Sequence, residues 1–192
     1  PYHTCTKRRG IVGETLARLL SRRGEIKEKL AEKNLSEEVR NKLEMQSTSI
    51  KWCLVTSFGY TGYKNAKYGR REAHEAITAW GRESILKAKE ISEDNGWELL
   101  HALTDSVWIK KDSIGAGEID ALCETISAET GLKIITDAVY SWVVFPGSKV
   151  LDGYSVPTRY FGRLDSGKMK VRGTFTRKKD SPGIVRLFQE DL

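Results

Sequence analysis

What this 192-residue sequence lacks narrows its class first. It has no long hydrophobic run. Uninterrupted apolar stretches such as Trp142–Phe145 fall far short of the roughly 20 residues that a bilayer-spanning helix requires. No apolar stretch follows the basic Lys7, Arg8 and Arg9, as a secretory leader would need. Cysteine is scarce: Cys5, Cys53 and Cys123 are far apart and odd in number, which fits neither a disulfide framework nor a paired-cysteine zinc site. A reducing, cytoplasmic compartment and no membrane partner are the expectations. His3, His74 and His101 show no metal-ligand spacing, and His74 reads as a structural residue on a helix. Internal repeats and low-complexity linkers are also missing.

What is present suffices for a packed core. Hydrophobic residues make up 39% of the chain and include five Trp, seven Tyr and five Phe, so a largely disordered chain is not expected. The length suits one ordinary domain or two small ones, burying roughly two thirds of the unfolded surface. The net charge of +6 says less than its layout. Lys7 to Lys29 holds eight basic residues against three acidic ones, and Arg159 to Lys179 holds eight more against Asp165 alone. Asp112 to Asp137 carries six acids and one Lys. Two basic ends around an acidic middle suggest a polyanion held by two regions of the fold, although a solvated mixed surface would look similar.

Periodicity predicts three helices, then mostly strands. Leu16, Leu19, Leu20, Ile26 and Leu30 recur at helical spacing up to a stop at Asn34. Ser36 can cap a second helix, with Glu37 and Glu38 in its first turn and Val39, Leu43, Ile50 and Leu54 on one stripe. The short link makes the pair an antiparallel hairpin. A Gly- and Tyr-rich connection leads to a third helix over Arg71 to Asp94, with the stripe Ala73, Ile77, Trp80, Ala88 and Ile91 and a stop at Asn95-Gly96. Trp97 to Leu103 and Val107 to Lys111 read as a β-hairpin with Asp105 at its tip. A fourth helix over Gly117 to Thr130 precedes strands at Leu132 to Ile135, Val139 to Phe145, Thr158 to Leu164 and Met169 to Gly173. Asp165-Ser166-Gly167 joins the last two. This order predicts an α+β fold: a projecting antiparallel helical hairpin, then an antiparallel sheet backed by helices.

Two features could carry chemistry. Arg23 and Lys27, four residues apart, share one face of the first helix, and Lys51 sits late on its antiparallel partner. Three long cations in one region suit a triphosphate, since Arg grips phosphate bidentately and Lys supplies point charge. An ordinary exposed basic helix face would show the same spacing. Asp105, between Thr104 and Ser106, is placed to bind a hard cation, although a lone Asp in a turn commonly serves the turn itself.

Four ordered stretches resemble family-B DNA polymerases. Lys51 to Tyr60, in the run Ile50 to Tyr63, is similar to the KxxxNSxYG motif with its Tyr/Gly continuation. Glu72 to Arg82 resembles the palm helix, and His101-Ala102-Leu103-Thr104-Asp105-Ser106 stands at the place of YGDTDS. Arg159-Tyr160-Phe161-Gly162 and Lys170-Val171-Arg172-Gly173 look like the strand pair around the KxY motif.

The resemblance implies a lead-in over residues 1–13, a fingers hairpin over 14–58, a palm over 59–173 and the start of a thumb over 174–192. Arg23, Lys27 and Lys51 fall on the cations that grip the incoming nucleotide, and Phe58 takes the place of the Tyr that packs on the nascent base pair. Asp105 matches a metal-coordinating, catalytic carboxylate that works with Mg²⁺. Arg159, Tyr160, Lys170 and Arg172 match primer-template contacts. Implied partners are primer-template DNA and a dNTP.

Departures accompany the match. Leu103 stands at the first Asp of DTD, Val55 and Thr56 replace Asn-Ser, and Pro157-Thr158 replace lysines. The DxxSLYPS motif, with the other essential Asp, is expected to precede this chain, and no exonuclease domain is seen. One carboxylate cannot anchor two Mg²⁺ ions, so the isolated chain is expected to be inactive and to need a polymerase large subunit or a preceding segment. The pattern resembles the archaeal group with degenerate catalytic motifs, or the small subunit of a split polymerase. An inactivated module that binds DNA or organises a replication or repair complex is the alternative. An unrelated RNA-recognition-like domain would require the ordered motifs to be coincidence.

Overall fold

The computed structural model describes residues 7–156, 158–173 and 181–190. The expected lead-in and thumb lie partly outside these residues, as do Cys5, His3, Pro157 and the basic Arg177, Lys178 and Lys179. The chain divides into two compact units, Pro1–Trp80 and Gly81–Leu192.

The first unit is built on helices α1 (Ile11–Leu30) and α2 (Glu37–Gly62). Glu14 in the first turn of α1 and Lys27 and Lys29 in its last complement the helix dipole. The Ser36 hydroxyl accepts a hydrogen bond from the Val39 amide at 3.4 Å, starting α2 where the sequence places it. Arg40 closes the hairpin by donating to the Leu30 and Glu32 carbonyls, both at 3.4 Å. Ile26, only 1% exposed, is the buried anchor between the helices. The expected apolar stripes are thinner than the sequence suggests, with Leu20 and Val39 exposed. Two helices share a single seam, so only residues facing that seam lose their water.

Helix α3 (Arg71–Asp94) crosses from the first unit into the second. Ala88 and Ile91 on its last turns join a core with Trp97, Leu122 and Ile126, whereas Ile77 and Trp80 remain exposed. The apolar partners gather only on those last turns, so the front of the predicted stripe stays outside this core.

In the second unit, β1 (Glu98–Leu103) pairs antiparallel with β2 (Ser106–Lys110). Helix α4 (Glu118–Thr130) follows, then β3 (Tyr140–Val144), β4 (Tyr160–Leu164), β5 (Met169–Arg172) and α5 (Gly183–Glu190). Gly117 and Gly131 flank α4 in the left-handed conformation, Gly131 as a glycine stop at its C-terminal end. The fold is α+β. In place of the single expected sheet there are two small antiparallel ones, β1-β2 and β3-β4-β5. Leu132 to Ile135 is not a strand. The Leu132 amide donates to the Thr130 hydroxyl and the Ile134 amide to the Ser127 hydroxyl at 2.9 Å, so helix side chains satisfy groups that a ladder would have used. Within the three-stranded sheet, a Cβ on Gly162 would sit 2.5 Å from the Trp142 carbonyl oxygen, so only glycine lets these strands approach so closely.

The two sheets are joined by aromatic packing. Trp108 on β2 lies 5.0 Å from Tyr140, 4.7 Å from Tyr160 and 5.4 Å from Phe145, ring centre to ring centre. His101 on β1 meets Phe145 at 5.3 Å. Among the described residues, no helix is long and apolar enough to cross a membrane.

Candidate functional site

Two of the hairpin's cations are paired with acids. Arg18 bonds Glu14 at 2.8 Å and Arg22 bonds Glu25 at 2.9 Å, each one turn away. Among the described residues, Arg23, Lys27 and Lys51 have no acidic partner. Arg23 lies three residues from the buried Ile26, so its stem follows the seam, and its half-buried guanidinium leaves a buried Nε without an acceptor. A buried donor left unpaired is costly. Lys27 and Lys51 are exposed. Arg22 and Ile50, the chain neighbours of Arg23 and Lys51, line one groove of about 640 Å³ with Ile26, Lys42 and Met45. Arg23, Lys27 and Lys51 themselves do not line this groove.

Phe58, in the last turns of α2, is 40% exposed. One face of its ring is covered by the His74 imidazole, stacked at 4.2 Å with 21° between the planes. His74 Nδ1 lies 3.2 Å from the Phe58 carbonyl oxygen and 3.3 Å from the Thr61 hydroxyl, which itself donates to Phe58 O at 2.6 Å. The structural role expected of His74 thus falls on a candidate site residue. Spacing alone could not reveal that pairing, because α2 and α3 meet across sixteen residues.

Asp105 occupies the tip of the β1-β2 hairpin, where Leu103 pairs with Ser106. Thr104 takes φ = 52°, and the Asp105 amide turns back to Leu103 O at 2.6 Å. Asp105 is exposed and Leu103 offers no second carboxylate. Among the described residues no group of three or more His, Cys, Asp or Glu is arranged to hold a metal. The residues present therefore do not fit a Mg²⁺ site by themselves.

The four expected DNA contacts separate into two pairs. Arg159 and Arg172 are exposed. Tyr160, opposite Arg172 in the β4-β5 register, is committed to the aromatic cluster through Trp108 and Phe145. Lys170 donates to Asp137 at 2.6 Å and lies 5.9 Å above the Tyr140 ring. The bond to Asp137 raises the Lys170 pKa against the opposing effect of burial. Burial in turn raises the Tyr140 phenol above its usual value, opposed by Lys170.

The model of DNA polymerase family B matches residues 2–139. The chain belongs to DNA polymerase family B. It is 34% identical over 191 residues to DNA polymerase 2 of Saccharolobus solfataricus, an alignment that takes in 100% of this chain and 27% of that protein. DNA polymerase of Archaeoglobus fulgidus is 28% identical over 185 residues, covering 95% of this chain and 22% of the relative. DNA polymerase 2 of Aeropyrum pernix is 30% identical over 164 residues, 85% of this chain and 19% of the relative. The family B chain described by these residues spans about a quarter of the length of the first two relatives and a fifth of the third.

Proposed function

We propose that this chain is the fingers and palm portion of a family B DNA-directed DNA polymerase working in replication or repair. Residues 14–58 are the fingers, 59–173 the palm and 174–192 the start of the thumb. Arg23, Lys27 and Lys51 hold the triphosphate of an incoming dNTP, Phe58 packs on the base, and Arg159 and Arg172 hold primer-template backbone beside Tyr160 and Lys170. The observation that carries this reading is the unpartnered Nε of Arg23, at one of the family's phosphate positions, on a hairpin where, among the described residues, Arg18 and Arg22 bond acids and Arg23, Lys27 and Lys51, like Lys29 and Lys42, do not.

Asp105 supplies one carboxylate to a catalytic site that the described residues do not complete. Mg²⁺ supplies charge neutralisation at the transferred phosphate in such polymerases. The second anchoring carboxylate comes from a large subunit or a preceding segment, and the described chain alone transfers no nucleotide. Primer extension tests this. The chain combined with a family B polymerase part that carries the other carboxylate should extend a primer, and Asp105→Ala should abolish extension. Unchanged extension in the variant would reject the assignment.

Leu103 at the hairpin tip favours a second reading, a module that binds DNA without catalysis. It predicts salt-sensitive DNA binding and no extension in any completed complex.

A further inference from the structure

Phe58 is held from behind by a residue that no role above accounts for. The imidazole of His74, in the first turns of α3, covers one face of the phenyl ring at 4.2 Å, and Phe58 as a whole stays 40% exposed. Its Nδ1 lies within reach of both Phe58 O and Thr61 Oγ1. Thr61 spends its proton on Phe58 O at 2.6 Å, so its oxygen offers His74 a lone pair, and Phe58 O can only accept. Both contacts then require Nδ1 to carry the proton. That N–H serves the Phe58 carbonyl and the Thr61 hydroxyl near the C-terminal end of α2. The ring fits because position 62 is glycine: a Cβ there would lie 3.0 Å from His74 Cγ and Nδ1. His74 itself is fixed by its amide, which donates to Arg70 O at 3.1 Å. Stack, forked hydrogen bond and glycine notch converge on one side chain.

We infer that His74 is a positioning residue for nucleotide selection, holding the Phe58 ring in the orientation in which it receives the base. This rests on the reading of Phe58 as the base-packing residue. With His74 reduced to Ala, the ring loses its backing and its partner at the end of α2, while the phosphate cations on the hairpin keep their places. The effect therefore falls on the base and spares the triphosphate.

The test uses the full chain, His74→Ala and His74→Phe. Proton NMR of the Phe58 ring, assigned by specific labelling, reports the stack. Titrations with dATP and with inorganic triphosphate separate base from phosphate. The Phe58 resonances should move toward unstacked values in His74→Ala and stay displaced in His74→Phe. Affinity for dATP should fall about fivefold or more in His74→Ala, the scale of one lost base-aromatic stack, with inorganic triphosphate bound as before. Recovery of dATP affinity in His74→Phe would support positioning by the ring. Unmoved Phe58 resonances in His74→Ala would overturn the inference, as would dATP and triphosphate affinities falling together. A wild-type chain that binds neither ligand would instead defeat the nucleotide-grip reading, and the inference with it, even with the stack intact.

Discussion

Lys170 and Asp137, thirty-three residues apart, meet in a 2.6 Å ion pair beside the three-stranded sheet. The pair links the acidic middle of the sequence to its basic end, and it takes one cation out of the set available to a polyanion. Lys170 is half-buried, whereas Arg172 on the same strand is exposed. Arg172 should therefore count for more in DNA binding. Each phosphate contact contributes about −0.9 to the slope of log K against log salt on duplex DNA. We expect Arg172→Ala to flatten that slope by about one contact on primer-template DNA, and Lys170→Ala by less. A larger change for Lys170→Ala would contradict this ranking.

The same pair sets a pH dependence. Lys170 has a raised pKa in the folded chain, chiefly through its bond to Asp137. Its stabilisation is then fully present below the unfolded pKa of about 10.4 and is lost as pH rises through the higher folded value. Asp137 is 87% exposed on its side chain, so solvent screening keeps the effect of Asp137→Asn to about 0.2–1 kcal/mol. Urea denaturation at neutral pH should show that difference, and it should shrink at strongly alkaline pH. A difference that grows with alkalinity would reject the pairing.

Glu118 runs the opposite way. Its pKa is lowered by the hydrogen bond from Lys111 and then by the Gly115 amide. The stability it brings is present above the usual carboxylate pKa and lost as pH falls through the depressed one. Glu118→Gln should therefore leave the acid side of the stability profile flatter than in the wild type, as measured by denaturation at stepped pH between neutral and strongly acidic.

Ile26 is the one buried hydrophobic residue of the first unit among the described residues. Ile26→Ala should destabilise the hairpin by about 2–4 kcal/mol, as for other buried truncations. Hydrogen exchange along α1 and α2 would register this as faster opening. Leu20→Ala, at a site 58% exposed, should change little.

Local signals were legible in the sequence, and distant ones were not. Ser36 marks the start of α2 through its own hydroxyl, and the expected end of the fourth helix at Thr130 agrees with the structure. The stretch from Leu132 to Ile135 has a strand's composition, yet hydroxyls on α4 take its amides, and no periodicity reveals that. Nor does spacing tell that the strands divide into two sheets, because pairing is decided between segments far apart in sequence. For the site, the spacing of Arg23 and Lys27 on one helix could be read directly. Which cations are neutralised could not: Arg22 and Arg23 are adjacent, and only the three-dimensional arrangement shows that Glu25 serves the first. The stack of His74 on Phe58 and the bond of Lys170 to Asp137 were hidden for the same reason.

On the reading proposed above, Arg23, Lys27 and Lys51 grip a triphosphate. Equilibrium dNTP binding by the full chain tests it most directly, comparing Arg23→Ala/Lys27→Ala with the control Arg18→Ala/Arg22→Ala. Charge-assisted hydrogen bonds of this kind contribute about 1.5–3 kcal/mol each. The first pair of substitutions should weaken binding at least about tenfold, and the second, whose cations already have acidic partners, should leave it nearly unchanged. Equal losses in both would contradict the account, as would no loss in the first.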